Sequence, residues 1–166
     1  MRAWGNCMEN TMNSLVNECL IQHEGGESFF DAIDEKLRDD KKLINLMIDK
    51  VKENEIFDYI IVSGKFGSVF YEYCSNYQDD LKNKIIVVNG GLRKDNVITS
   101  FWENFNIQNK RIVFIDDSYY LGRTRNKIKE TIEENHGSLI CTYVFYDGSK
   151  EKDNTVHSFY RYYDFH

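Results

Sequence analysis

The chain has 166 residues, of which 42% are hydrophobic, 29% charged and 14% aromatic, the composition of one soluble globular domain and not of a disordered chain. A net charge of −6 argues against a nucleic-acid binder, which is expected to carry a basic face. The longest apolar runs, such as Ile85 to Val88, are far too short to span a bilayer, and residues 1–13 hold no apolar core of a secretory signal, so the expected location is the cytoplasm. Cys7, Cys19, Cys74 and Cys141 are scattered, with no C-x-x-C pair and no histidine at zinc-ligand spacing, so free thiols in a reducing compartment are expected.

The first third reads as helical. Met8, Met12, Leu15, Val16, Cys19 and Leu20 recur at helical spacing, and Gly25-Gly26 ends that element. Ser28, with Asp31 three residues on, opens a second helix whose apolar face is Phe29, Phe30, Ile33 and Leu37. A third carries Leu43, Ile44, Met47, Ile48 and Val51.

The pattern changes at Asp58. Tyr59 to Val62 is a short continuous apolar run, as in a strand buried on both faces, followed by the turn Ser63 to Gly67 and a helix through Tyr77. Ile85 to Val88 is a second such run, closed by Asn89-Gly90-Gly91. Ile98, Phe101, Trp102 and Phe105 fall at helical spacing and read as core or an oligomer surface. Ile112 to Ile115 is a third strand, ending in Asp116-Asp117. A helix from about Thr124 to Asn135 follows, closed by His136-Gly137, and Leu139 to Tyr146 is a fourth strand. The aromatic, alternating tail from Ser158 to His166 reads as an edge strand. Apolar strands alternating with helices predict an α/β fold, a parallel β-sheet flanked by helices. The expected organisation is a single domain over 1–166: a helical N-terminal part (1–54), an α/β core (55–150) and a C-terminal edge strand (151–166).

In such sheets ligands sit beyond the carboxyl ends of the strands. Those ends here carry Ser63-Gly64-Lys65-Phe66-Gly67, Asn89 to Lys94, Asp116-Asp117 and Asp147-Gly148, so glycine and charge converge on one rim. The most informative stretch runs from Arg111 to Thr124. Gly122 and Thr124 precede a helix, whose start offers free N–H groups and the positive end of its dipole to a phosphate. The acidic pair accepts hydrogen bonds from sugar hydroxyls or holds a metal that does. Read without that context, Asp116-Asp117 is a solvated turn, Asp147-Gly148-Ser149 a plain turn, and Arg93-Lys94 a pair of loop charges.

The segment IVFIDDSYYLGRT resembles the phosphoribosyl pyrophosphate motif of type I phosphoribosyltransferases, an apolar strand, two acids, a loop and Thr-Gly-x-Thr. The resemblance covers roughly residues 55–150 and implies that family's fold and transfer of phosphoribose from phosphoribosyl pyrophosphate to a nucleobase or related nitrogen nucleophile. It implies catalytic Asp116 and Asp117 on the ribose hydroxyls, and Ser118, Tyr119, Tyr120, Leu121, Gly122, Arg123 and Thr124 around the 5-phosphate. It places Ser63, Gly64 and Lys65 at the pyrophosphate, and Arg93 and Lys94 on a loop closing over the site. Magnesium is implied with the pyrophosphate, with Asp147 as a metal ligand, and a homodimer is compatible. The chain departs from the family at Leu121, where the family prefers Thr, and at Tyr119 and Tyr120, where it has small or aliphatic residues. These departures motivate a second expectation, a catalytically inactive module of this fold that binds a nucleotide or a protein partner. The "GRT" ending also resembles a pyrimidine-operon regulator that binds RNA, a third reading that the acidic charge opposes.

Overall fold

The apolar periods of the first third become three packed helices. The structure is a computed structural model that describes residues 2–23, 27–88 and 105–166, with the side chains of these except 2–9, 22, 23, 27, 28 and 30. Helix α1 (Arg2–His23) buries Met12, Val16 and Cys19, and α2 (Glu27–Asp39) buries Phe29, Ile33 and Leu37. Helix α3 (Lys41–Asn54) buries Leu43, Ile44, Met47, Ile48 and Val51. Asp40 starts α3 by accepting the N–H groups of Lys42 and Leu43, which would otherwise lack partners. The expected break at Gly25-Gly26 and the capping side chain of Ser28 lie outside the described residues.

Strand β1 (Tyr59–Ser63) passes without a loop into α4 (Gly64–Tyr77), so the expected Ser63–Gly67 turn is the helix's own first turn. Next come β2 (Ile85–Val88), β3 (Arg111–Tyr119), α5 (Arg123–Glu134), β4 (Ser138–Asp147) and β5 (Val156–Arg161), closed by a 3₁₀ turn, Tyr162–Asp164. The strands form one parallel sheet in the order β2-β1-β3-β4-β5, the architecture expected from the sequence. The tail strand begins at Val156 and sits on the sheet edge beside β4. Asn89 to Gly91, Arg93, Lys94, Ile98, Phe101 and Trp102 lie outside the described residues.

The two-residue period of the strands divides the core. Ile60, Val62, Val113, Ile115 and Phe145 face one cluster, built with α1 to α4. Ile61, Ile86, Ile112 and Phe114 face the other, closed by Ile128 and Ile132 of α5. Cys19, Cys74 and Cys141 are buried free thiols. No described helix is long and apolar enough to cross a membrane.

One boundary differs in a way that matters for the site. Strand β3 does not stop at Ile115 but runs to Tyr119. The cause is β4, which is long enough to continue the ladder through the pairs Asp116↔Val144, Ser118↔Tyr146 and Tyr119↔Asp147. The two acids are therefore strand residues, and the connection to α5 shrinks to Tyr120, Leu121 and Gly122.

Candidate functional site

Helix α5 begins on Gly122, which takes φ +71 and ψ 13, and no side chain caps it. The N–H groups of its first turn, from Arg123 to Arg125, thus lack intrahelical partners, and they point with the positive end of the helix into the same space. A cleft of about 290 Å³ opens there, lined among others by Asp116, Ser118, Tyr119, Thr124 and Arg125. The N–H of Ser118, a residue expected beside the phosphate, is bonded to Asp117 Oδ1 at 2.9 Å. The N–H groups of the helix start itself carry no such side-chain partner.

Tyr119 lies across Gly122, close enough that a Cβ on that residue would stand 2.6 Å from the tyrosine hydroxyl. That hydroxyl accepts from Arg125 Nη2 at 3.1 Å, and Arg125 also donates to Thr155 Oγ1 at 2.8 Å and pairs with Asp153. Gly122→Ala is expected to lose about 1–2 kcal/mol from the left-handed backbone alone, with the Tyr119 contact adding to it. Urea unfolding measures this, and a variant as stable as the parent contradicts the turn described. Leu121 is 74% exposed, so a threonine there sacrifices no packing.

The acids sit beside this turn. Asp116 lines the cleft, and its Oδ1 accepts the N–H of Asp117 at 2.9 Å. An acid at a strand's carboxyl end is expected to be open to solvent, but Asp117 is only 7% exposed. It is enclosed because β3 continues past it and α2 packs against this rim. Its Oδ1 also accepts the Ser118 hydroxyl at 3.3 Å, and its Oδ2 lies 3.7 Å from Arg38 Nε. Asp34, one helical turn before Arg38, brings a third carboxyl, whose buried Oδ1 has no hydrogen-bond partner among the described residues.

This crowding dictates the protonation. Burial, and then the charge of Asp117, pushes Asp116 well above the carboxylate range, and a hydrogen bond to Asp117 holds its proton. Burial and then the same charge raise Asp34 to about 7, against the opposing pull of a Ser118 hydrogen bond and Arg38. Asp34, Asp116 and Asp117, crowded together, do not all ionise at neutral pH. Hydroxyl donors from a bound polyol would satisfy them in their charged form.

The other expected residues divide. Ser63 lies beside Asp116 in the sheet, one residue past the Val62↔Ile115 pair, and makes no side-chain cap on α4. Gly64 has φ +65 with nothing within 4 Å of a Cβ, so its need is purely backbone, and Lys65 is exposed in the first turn. Two uncapped helix starts thus share one rim. Arg123 is exposed and Thr124 half-buried, while Arg93 and Lys94 lie outside the described residues. The Tyr120 ring packs on Tyr146 at 5.9 Å and against Gly148, serving the core more than the cleft.

Asp147 is 2% exposed; its Oδ1 accepts the Ser149 N–H and hydroxyl, and its Oδ2 faces Arg161 Nε at 3.7 Å. It holds the connection into β5. Among the described residues, no group of three or more His, Cys, Asp or Glu is arranged for a cation.

Sequence reasoning did not reach Asp34, Arg38, Arg125 or Asp153. Asp34 and Arg38 are an i,i+4 pair flanking the apolar stripe of Ile33 and Leu37, a position from which polar groups reach the rim of a core. Arg125, directly after the Gly122–Thr124 turn, carried no signal of its own.

No protein-family model and no curated protein matches the sequence. Solved structures do match in fold. A purine phosphoribosyltransferase from Pyrococcus horikoshii aligns with a TM-score of 0.50 at 16% identity, over 71% of this chain and 79% of that one. A hypoxanthine phosphoribosyltransferase from Staphylococcus aureus aligns with a TM-score of 0.46 at 16% identity, over 75% and 73%. One from Bacillus anthracis, a hypoxanthine-guanine phosphoribosyltransferase, gives 0.46 at 14%, over 77% of both chains. The five-stranded parallel sheet flanked by helices is the type I phosphoribosyltransferase fold.

Proposed function

We propose that the protein binds phosphoribosyl pyrophosphate and transfers its phosphoribosyl group to a nitrogen nucleophile, with a nucleobase as the acceptor class. The observation that carries this reading is the junction of an uncapped helix start on a left-handed glycine with a strand-borne acid pair, in a fold shared with a purine phosphoribosyltransferase. The N–H groups of Arg123 to Arg125 hold the 5-phosphate. Asp116, which lines the cleft, accepts the ribose hydroxyls; Asp117, itself beside Arg38, fixes its position. The start of α4, with Ser63, Gly64 and Lys65, faces the departing pyrophosphate and stabilises its negative charge. Catalysis on this reading is positioning and electrostatics.

A second reading is a binding module of the same fold without turnover. Tyr119 against Gly122, together with the Tyr120 ring, favours it, since both side chains fill space around the turn. Calorimetry with phosphoribosyl pyrophosphate, followed by a pyrophosphate-release assay over a panel of nucleobases, separates the two. Binding with release supports transfer, binding without release supports the module, and absence of binding removes the transfer reading.

A further inference from the structure

The turn into α5 carries an exposed, apolar Leu121 where the phosphoribosyltransferase motif has a hydroxyl, and another residue occupies the space beside Gly122. We propose that Tyr119, oriented by Arg125, is the hydroxyl donor to the phosphate bound at the start of α5. This rests on the reading of that turn as a 5-phosphate site.

Four observations carry it. The Tyr119 hydroxyl is placed at the helix start, 2.6 Å from where a Gly122 Cβ would be. Its oxygen accepts from Arg125, while its own proton finds no acceptor among the described residues. A hydroxyl whose oxygen receives a guanidinium N–H is polarised toward giving its proton onward. Burial keeps the phenol protonated, outweighing the opposing charge of Arg125, so at neutral pH it is a donor facing a ligand that only accepts. Finally, the arrangement is preorganised: the Arg125 side chain is 11% exposed and is held by Asp153 and Thr155, so the hydroxyl needs little ordering when a phosphate arrives.

Arg125 is on this account a positioning residue, acting through Tyr119. Its guanidinium joins the α5 start to the connection between β4 and β5, where Asp153 and Thr155 lie. Asp153 and Thr155 fix the guanidinium, which in turn orients the Tyr119 hydroxyl.

The test uses ribose 5-phosphate as the probe, titrated calorimetrically into the parent, Tyr119→Phe, Arg125→Ala and the double variant, at a temperature where all retain the parent's far-ultraviolet dichroism. Tyr119→Phe keeps the ring and removes only the donor, so affinity is expected to fall roughly tenfold to a hundredfold. Arg125→Ala is expected to weaken binding in the parent and to add little in the Tyr119→Phe background, the signature of action through the hydroxyl. A Tyr119→Phe protein binding as tightly as the parent overturns the proposal. So does Arg125→Ala weakening both backgrounds equally, which would make Arg125 an independent contact. A Tyr119→Ala variant that binds more tightly than the parent would show that the side chain closes the cradle, and would overturn it too. Failure of the parent to bind ribose 5-phosphate removes the 5-phosphate reading itself, and this inference with it.

Discussion

Asp34→Asn is expected to stabilise the protein above neutral pH and to leave it unchanged near pH 4. The sign follows from the raised carboxyl. Asp34 titrates at about 7 in the folded chain against an ordinary value of 3.8, so between those limits the unfolded chain has lost a proton that the folded chain keeps. Stability therefore falls as pH rises through that window and levels off above the folded value. The full effect is on the order of 4 kcal/mol, with part of it shared with Asp116 through their common neighbour Asp117. Asparagine does not ionise, so its variant should show a flatter profile and a higher melting temperature at pH 7.5. Denaturant unfolding at pH 4, 5.5 and 7.5 reads this directly. Identical profiles for variant and parent would mean that the Asp34 carboxyl is not strained by its surroundings.

Asp116→Asn is expected to move stability and affinity in opposite directions. The amide still accepts the Asp117 N–H and still donates to the Asp117 carboxylate, while one half-buried acid is gone from a crowded site. Stability should hold or rise. The ribose hydroxyls, however, lose a carboxyl that their own hydrogen bonds would hold in its charged form; hydrogen bonds to charged groups contribute about 1.5–3 kcal/mol, so affinity for phosphoribosyl pyrophosphate should drop, by up to roughly tenfold to a hundredfold. Opposed changes of this kind mark a group retained for function at the expense of stability. If affinity and melting temperature fall together, the pair is structural and the hydroxyl-binding role is wrong.

The strand-end rim was legible because parallel strands buried on both faces read as continuous apolar runs, and the residues after such runs define the rim. Tyr59 to Val62, Ile85 to Val88 and Ile112 to Ile115 all became strands, with Ser63 and Asp116 at one edge. The length of β3 was not legible, because Asp116, Asp117 and Ser118 look like a loop until β4 is present to pair with them. Burial of Asp117 was hidden for the same reason, compounded by α2 reaching the rim from a distant part of the chain. The Tyr119–Arg125 contact spans six residues but crosses a strand, a turn and the first turn of a helix, and only the left-handed Gly122 brings the two side chains together.

The most direct test of the central claim, a phosphoribosyl site at the β3–α5 turn, is a crystal structure with ribose 5-phosphate bound. The account predicts the phosphate within hydrogen-bond reach of the Arg123, Thr124 and Arg125 N–H groups, with the ribose hydroxyls on Asp116. A phosphate bound elsewhere, with the helix start left to solvent and Asp116 still bonded only to Asp117, would contradict it.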